Sequence, residues 1–295
     1  MLTIRSYFAV LGLLATGHAA DPVVPVPGRP PVEIVARGLD NPRGLAFGDR
    51  GELYVAEAGR GGPCEPGAAL CSGRSGAITV IEFGRQWRIV SGLPSQAAPA
   101  GTGAAGPTDV TIGADGEPLH TSTAEPGGLY RGANLLTAVP APVAALDTAI
   151  VDARSRSLLR TGPRGRTRTV AAFPARSAPN SVTRGPDGAW FVGEMPDPAA
   201  VRPQPARIWR IEPGRPPQVW ATGFTGIVDL AWSPDGHLYV LEAGTLTALT
   251  PTGERRVIAT TALTAPGGLA IRCGHAYVST CSTCKDTGAV LKIRL

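Results

Sequence analysis

Four carboxylates recur at one level of a repeated phrase: Glu57, Asp152, Glu194 and Glu242 each close a short apolar stretch (LYVAE, AIVD, WFVGE and LYVLE). Acids gathered at one place repel one another unless a cation, an arginine or backbone donors compensate them. Such a set could therefore hold a divalent metal such as Ca²⁺ through hard oxygen ligands. A structural reading competes with this one, because an acid repeated at one position in unit after unit suits a task common to all, such as accepting hydrogen bonds from its own loop. A second set, Arg43, Asp109, Asn180 and Asp229, stands at the start of the apolar stretch that precedes the turn in four of the units. These residues differ from unit to unit, so the fold does not demand them, and they are the better address for a ligand.

Other chemistry is poorly supplied. A nucleophilic triad needs an imidazole base, and beyond the first 20 residues the chain offers only His120, His237 and His275. His237 and His275 occupy one position just after a tight turn, away from the acids, where turn surface is the expected role. The string GTGAAG at residues 101–106 matches a dinucleotide fingerprint literally, but no strand precedes it and no helix follows it, so it is read as a loop.

The elements that must position these residues are written in the phrase itself. It runs NPRGLAFGDRGELYVAE at residues 41–57 and returns, imperfectly, at 107–121, 180–194, 228–242 and 266–280. Each copy is two apolar stretches around Gly-Pro-Asp-Gly or a relative, residues that tolerate positive φ, and reads as a hairpin. A second strand pair follows each copy, and four antiparallel strands per unit make a propeller blade. A degenerate unit, with its first strand in 141–146 and its second in 148–153, brings the count to six. The last unit has only three strands, and the segment at 30–39 parallels an outer strand. The expected fold is thus an all-β, six-bladed propeller of four-stranded antiparallel blades, its ring closed by the N-terminal strand pairing with the last blade. Closure would remove the exposed edges of an open stack. Two tandem sandwiches are the alternative, but they leave the repeated phrase unexplained. In a propeller the start of each first strand and the finish of each second strand share one mouth of the channel, so both residue sets meet there.

Gly (38) and Pro (29) are abundant in the 295 residues and fall between short apolar runs, as many tight turns require. Residues 1–20 read as a secretory leader, with Arg5, an apolar run from Tyr7 to Ala15 and small residues before the cleavage point. Residues 21–30 read as a Pro-rich linker and 31–295 as one propeller domain, exported to the periplasm or beyond and without a membrane-spanning segment. The net charge of +5 permits an anionic partner without demanding one. A small molecule, glycan or protein is the expected partner, nucleic acid is not, and a monomer is expected. One local excess, Arg154, Arg156, Arg160, Arg164, Arg166, Arg168 and Arg176, is either a solvated outer strand or a docking patch for phosphate or acidic glycan.

Five cysteines in an exported chain favour two disulfides and one free thiol. Cys64 and Cys71 share the loop after the first unit's second strand, and Cys281 and Cys284 the equivalent loop of the last unit. Cys273 lies in a turn about 20 Å of extended chain from Cys281, too far to bridge. Cross-pairing of the two loops, or a four-thiolate zinc site, is the alternative.

Residues 38–62 (GLDNPRGLAFGDRGELYVAEAGRGG) with Cys64, GAITVI at 76–81, VTRGPDGAWFVGE at 182–194 and ATGFTGIVDLAWSPDGHLYVLE at 221–242 resemble the ScyD/ScyE family. The resemblance covers nearly all of the chain after the leader. It implies an exported β-propeller related to the NHL and SMP-30 groups and brings no assigned reaction. The shortened third unit and the C-terminal cysteines depart from the family pattern. The functional reading is a binding or scaffold propeller with a ligand at the polar mouth; the alternative is a metal-dependent SMP-30-like lactonase or hydrolase. For the latter only Asn180 sits well at the position that the SMP-30 likeness implies for metal binding, while Arg43, Val228 and Gly267 are not oxygen ligands and Asp109 and Asp229 stand one position away. A quinone-dependent sugar dehydrogenase could share the fold but needs a histidine base near the mouth.

Overall fold

The computed structural model of the chain describes residues 32–146, 148–162, 165–196, 204–260 and 263–295. The expected leader and linker lie outside these residues, as does Arg164. The described residues form six four-stranded antiparallel sheets. Blade 1 is β2 (Pro42–Phe47), β3 (Leu53–Glu57), β4 (Cys71–Glu82) and β5 (Arg85–Ala97). Blade 2 is β6 (Pro107–Ile112), β7 (Pro118–Ser122), β8 (Gly128–Arg131) and β9 (Asn134–Ala138). Blade 3, the degenerate unit, is β10 (Pro142–Leu146), β11 (Ala149–Asp152), β12 (Ser157–Thr161) and β13 (Thr167–Ala172). Blade 4 is β14 (Ala178–Arg184), β15 (Trp190–Met195), β16 (Ala206–Ile211) and β17 (Gln218–Phe224). Blade 5 is β18 (Ile227–Trp232), β19 (Leu238–Glu242), β20 (Leu246–Leu249) and β21 (Arg255–Ala259). Blade 6 is β22 (Gly268–Arg272), β23 (His275–Thr280), β24 (Gly288–Arg294) and, from the other end of the chain, β1 (Val32–Leu39).

The closure is a long antiparallel ladder running from Val32 opposite Ile293 to Leu39 opposite Gly288. It is also hydrophobic, since Ala36 and Leu39 of β1 bury against Leu45, Val55 and Val290. The second strands carry most of the core. LYVAE of β3 and LYVLE of β19 are almost wholly buried because each sheet is covered on both faces by neighbouring blades.

Two disulfides join Cys64 to Cys71 and Cys281 to Cys284, with Cα atoms 4.8 and 5.1 Å apart. Cys273 is an exposed free thiol in the β22–β23 turn, at φ 48°. One detail differs from the sequence reading: Cys71 is the first residue of β4, not a loop residue. The β4–β5 hairpin is long, pairing from Glu82 opposite Arg85 out to Cys71 opposite Ala97. Its extra length rises above the ring and bridges back to Ala105 through Gln96.

Candidate functional site at the channel mouth

Strand register puts both residue sets at one end of the ring. Pro42 lies opposite Glu57, Pro142 opposite Asp152, Pro179 opposite Glu194 and Ile227 opposite Glu242. Immediately after these positions each of the first five inner strands carries an irregular register step. That step decides what the channel sees. Consecutive residues of a regular strand face opposite ways, yet Thr108 with Asp109, and Val228 with Asp229, both line a single cavity of about 320 Å³. A bulge re-aims side chains in this way. Arg43 and Asn180 line the same cavity, so the four candidate ligand residues, from blades 1, 2, 4 and 5, converge at one place.

Three of the four also tie blades together. Asp109 accepts from the amide of Val110 (2.8 Å) and, across the blade boundary, from that of Ala145 (2.9 Å). Asp229 repeats this with Leu230 (2.8 Å) and, in blade 6, Leu269 (2.7 Å). Asn180 Nδ2 donates to the Val228 carbonyl of blade 5 (2.8 Å). Residues that vary between blades therefore serve the ring as well as the cavity. The inner strands are close: a Cβ on Gly44 would lie 1.8 Å from Asp109 Oδ1, and one on Gly268 would lie 2.6 Å from Gly44 Cα.

Burial sets the charge of the mouth. Desolvation raises the Asp229 carboxyl to about 7. Desolvation, with the neighbouring charge of Asp229, lifts Asp109 well above the usual carboxylate range. Arg43 is lowered by burial alone but stays cationic. Its Nη2 donates to the Ala104 carbonyl (2.9 Å), while its Nε is buried without a partner. Among the described residues Arg43 makes no ion pair. The mouth thus presents one uncompensated cation beside two carboxyls held partly or wholly neutral.

The acids at the ends of the second strands are engaged by their own blades and by the connections that lead into them. Glu57, fully buried, accepts from the Asp40 amide (2.7 Å), the Thr79 hydroxyl and the Arg88 guanidinium (2.7 Å). Asp152 accepts from the Ala141 amide (3.1 Å) and the Ser155 hydroxyl (2.6 Å). Glu194 takes Arg207 and the Trp209 indole N–H (2.9 Å), and Glu242 takes the Thr225 amide (2.7 Å) and hydroxyl (2.8 Å). Among the described residues no three His, Cys, Asp or Glu stand close enough together to hold a metal. Ca²⁺ asks for six to eight oxygens, and carboxylates whose oxygens already receive amides, hydroxyls and guanidinium groups do not fit it as a donor set.

One wall of the cavity escaped the sequence reading. Gly103, Ala104 and Ala105 of the GTGAAG string line it. Asn41, at φ 50°, pins that loop through Nδ2 to the carbonyls of Gly101 (2.9 Å) and Gly59 (2.7 Å). The local signal was an Ala/Gly run too poor in side chains to pack alone, which needs a neighbour to hold it.

No family model and no curated protein matches the sequence. Among solved structures, the PQQ-bound aldose sugar dehydrogenase of Streptomyces coelicolor superposes with a TM-score of 0.62 at 13% identity, covering 91% of this chain and 99% of that one. A putative glucose dehydrogenase from Thermus thermophilus gives 0.58 at 18% identity, covering 90% and 99%. Virginiamycin B lyase from Staphylococcus aureus gives 0.52 at 14%, covering 90% and 99%. The likeness is one of fold. At such identities dehydrogenases and a lyase share an architecture without fixing a reaction. No histidine is among the residues lining the cavity. His120 is buried against Tyr130, with ring centroids 5.3 Å apart, and burial lowers it to about 4.

Proposed function

We propose that the protein is an exported binding propeller whose channel mouth takes a small, oxygen-rich ligand bearing an anionic group received by Arg43. The observation that carries this reading is the convergence of Arg43, Asp109, Asn180 and Asp229 on one cavity, with the guanidinium short of a partner. A desolvated arginine makes charge-assisted bonds of the strong kind, and carboxylate matches its planar fork. The cavity's volume falls at the lower end of small-molecule sites, and it is far too small for a protein or nucleic-acid surface. The two disulfides and the ScyD/ScyE resemblance support export. The lactonase alternative is the weaker one, since it depends on a metal that the acids at the mouth do not suit.

A thermal-shift panel of gluconate, glucuronate, glucose and sorbitol tests the proposal. Saturating ligand at about 100 times its dissociation constant adds about 2.7 kcal/mol, which in a domain of this size raises the midpoint by several degrees. The carboxylates should raise it and the neutral sugars should not. A panel in which glucose and gluconate act alike, or in which neither acts, removes Arg43 as an anion receiver.

A further inference from the structure

Three members of the arginine-rich segment, Arg160, Arg166 and Arg168, lie at the end of the ring opposite the mouth. Asp152 pairs with Ser157 at the mouth end of blade 3, so Ala149 opposite Arg160, and Thr161 opposite Thr167, mark the far end. There a crevice opens between blades 2 and 3, in two halves that share Thr148, Thr161 and Gly162. The blade 2 half, about 610 Å³, is lined by Leu119, Leu129, Leu135 and Leu136. Leu119 and Leu129 are 3% and 1% exposed and form its floor, while Leu135 and Leu136 on the outermost strand are each 41% exposed. The blade 3 half, about 480 Å³, is lined by Arg160, Arg166 and Arg168.

Arg160 and Arg168 are direct cross-strand partners, and Arg166, just ahead of β13, lines the same hollow. Like charges placed opposite one another are destabilising unless something compensates them. None of the three side chains makes an ion pair or hydrogen bond among the described residues, whereas Arg88, Arg207 and Arg210 are each paired with acids. Arg131, at the leucine end, is already paired with Asp115. A second observation marks the junction: Thr161 Oγ1 is buried there without a partner.

An open leucine hollow running into a cationic one that has no acidic partner among the described residues is complementary to a molecule built the same way. We propose that this crevice binds a free, single-chain amphiphile with an anionic head, its chain over the four leucines and its head between Arg160 and Arg168, within reach of the Thr161 hydroxyl. A flat bilayer is the poorer match, because the deepest apolar contacts, Leu119 and Leu129, lie on a buried floor that only one inserted chain could reach.

The experiment is calorimetric titration of the full chain with decanoate below its aggregation concentration, with decanol and acetate as half-molecules. Decanoate should bind once per chain; decanol should bind at least about tenfold more weakly, as loss of charge-assisted hydrogen bonds implies, and acetate should show no binding. The double variant Arg160→Gln/Arg168→Gln should weaken decanoate by a similar factor and leave decanol unchanged. Leu136→Ser, at an exposed position, should weaken both and provides the second variant should the first not fold. Acetate binding as tightly as decanoate would reduce the crevice to a plain anion site, and decanol binding as tightly would reduce it to a greasy hollow. Binding to phosphatidylglycerol vesicles without binding of monomeric decanoate would make it a membrane contact. Any of these three overturns the proposal, as does an unaltered affinity in both variants.

Discussion

Raising the pH through neutrality should charge Asp229 inside the channel, and the cost can be worked from its surroundings. A free aspartate ionises near 3.9, whereas burial raises Asp229 in the folded protein to about 7. Between these values the unfolded chain has released the proton and the folded one has not, so the folded state binds more protons and stability must fall as pH rises. Above about 7 both states are ionised and the contribution levels off. One such group gives at most about 1.4 kcal/mol per pH unit, hence a ceiling of about 4 kcal/mol. Water entering the open mouth screens the charge and brings the expected figure nearer 1 to 2 kcal/mol. His120 works in the opposite sense: held neutral down to about 4, it adds stability that is lost as pH falls from about 6.5. Comparing wild type with Asp229→Asn cancels that term. Asparagine keeps one acceptor for the amides of Leu230 and Leu269 and turns an NH₂ toward the other, at a fixed cost of about 1 to 3 kcal/mol. Urea denaturation followed by tryptophan fluorescence at pH 5 and pH 8 should therefore show the variant most handicapped at pH 5, with the gap narrowing by about 1 kcal/mol or more at pH 8. A gap that is constant, or that widens with pH, would refute the reasoning, because it would mean that Asp229 is already ionised at pH 5.

Other expectations follow from single contacts. Glu57→Gln removes one of the two buried acids that hold Arg88, Asp40 being the other, and should lower urea-derived stability by about 1 to 2 kcal/mol because Arg88 is half-exposed. Deleting residues 32–35, which opens the β1–β24 ladder, should lower the midpoint of the whole domain in one cooperative transition; an unchanged midpoint would show that the ring does not depend on its closing strand. Gly44→Ala drives a methyl into Asp109 and should cost about 1 to 3 kcal/mol, and calorimetry of the variant measures it. Thiol titration of the unreduced, denatured chain should find one reactive group, Cys273; three or five would break the disulfide assignment.

The repeated phrase made the fold legible because each blade must rewrite the same hairpin. It announced even the degenerate third unit and the borrowed strand of the sixth, since a three-stranded end leaves an edge that needs a partner. Cysteine pairing was legible for a similar reason: short loops leave few geometries. The acids after the second strands could be read in two ways from sequence, and in the fold Glu57, Asp152, Glu194 and Glu242 each hold donors from their own blade or from the connection that leads into it. The positions at Asp109, Asn180 and Asp229 were visible as irregularities, but their duty of bridging to Ala145, Val228 and Leu269 was not, because it depends on which blade stands next and on a bulge that local sequence does not mark. The cavity wall at Gly103, Ala104 and Ala105 was hidden for the same reason. It exists because a distant asparagine, Asn41, holds the loop. The crevice beneath blades 2 and 3 depends on packing between units, which no single stretch of chain encodes.

The central claim is that Arg43, and not a metal ion, receives the ligand at the mouth. Calorimetric titration of gluconate into wild type and Arg43→Gln, with EDTA and then with Ca²⁺, at pH 6 and pH 8, tests it most directly. The expected result is one site in wild type, at least about tenfold weaker in Arg43→Gln as the loss of a charge-assisted hydrogen bond implies. That site should be indifferent to EDTA and Ca²⁺ and weaker at pH 8, where ionised Asp229 offsets the arginine. Equal affinity in the variant, or binding that appears only with Ca²⁺, would contradict it.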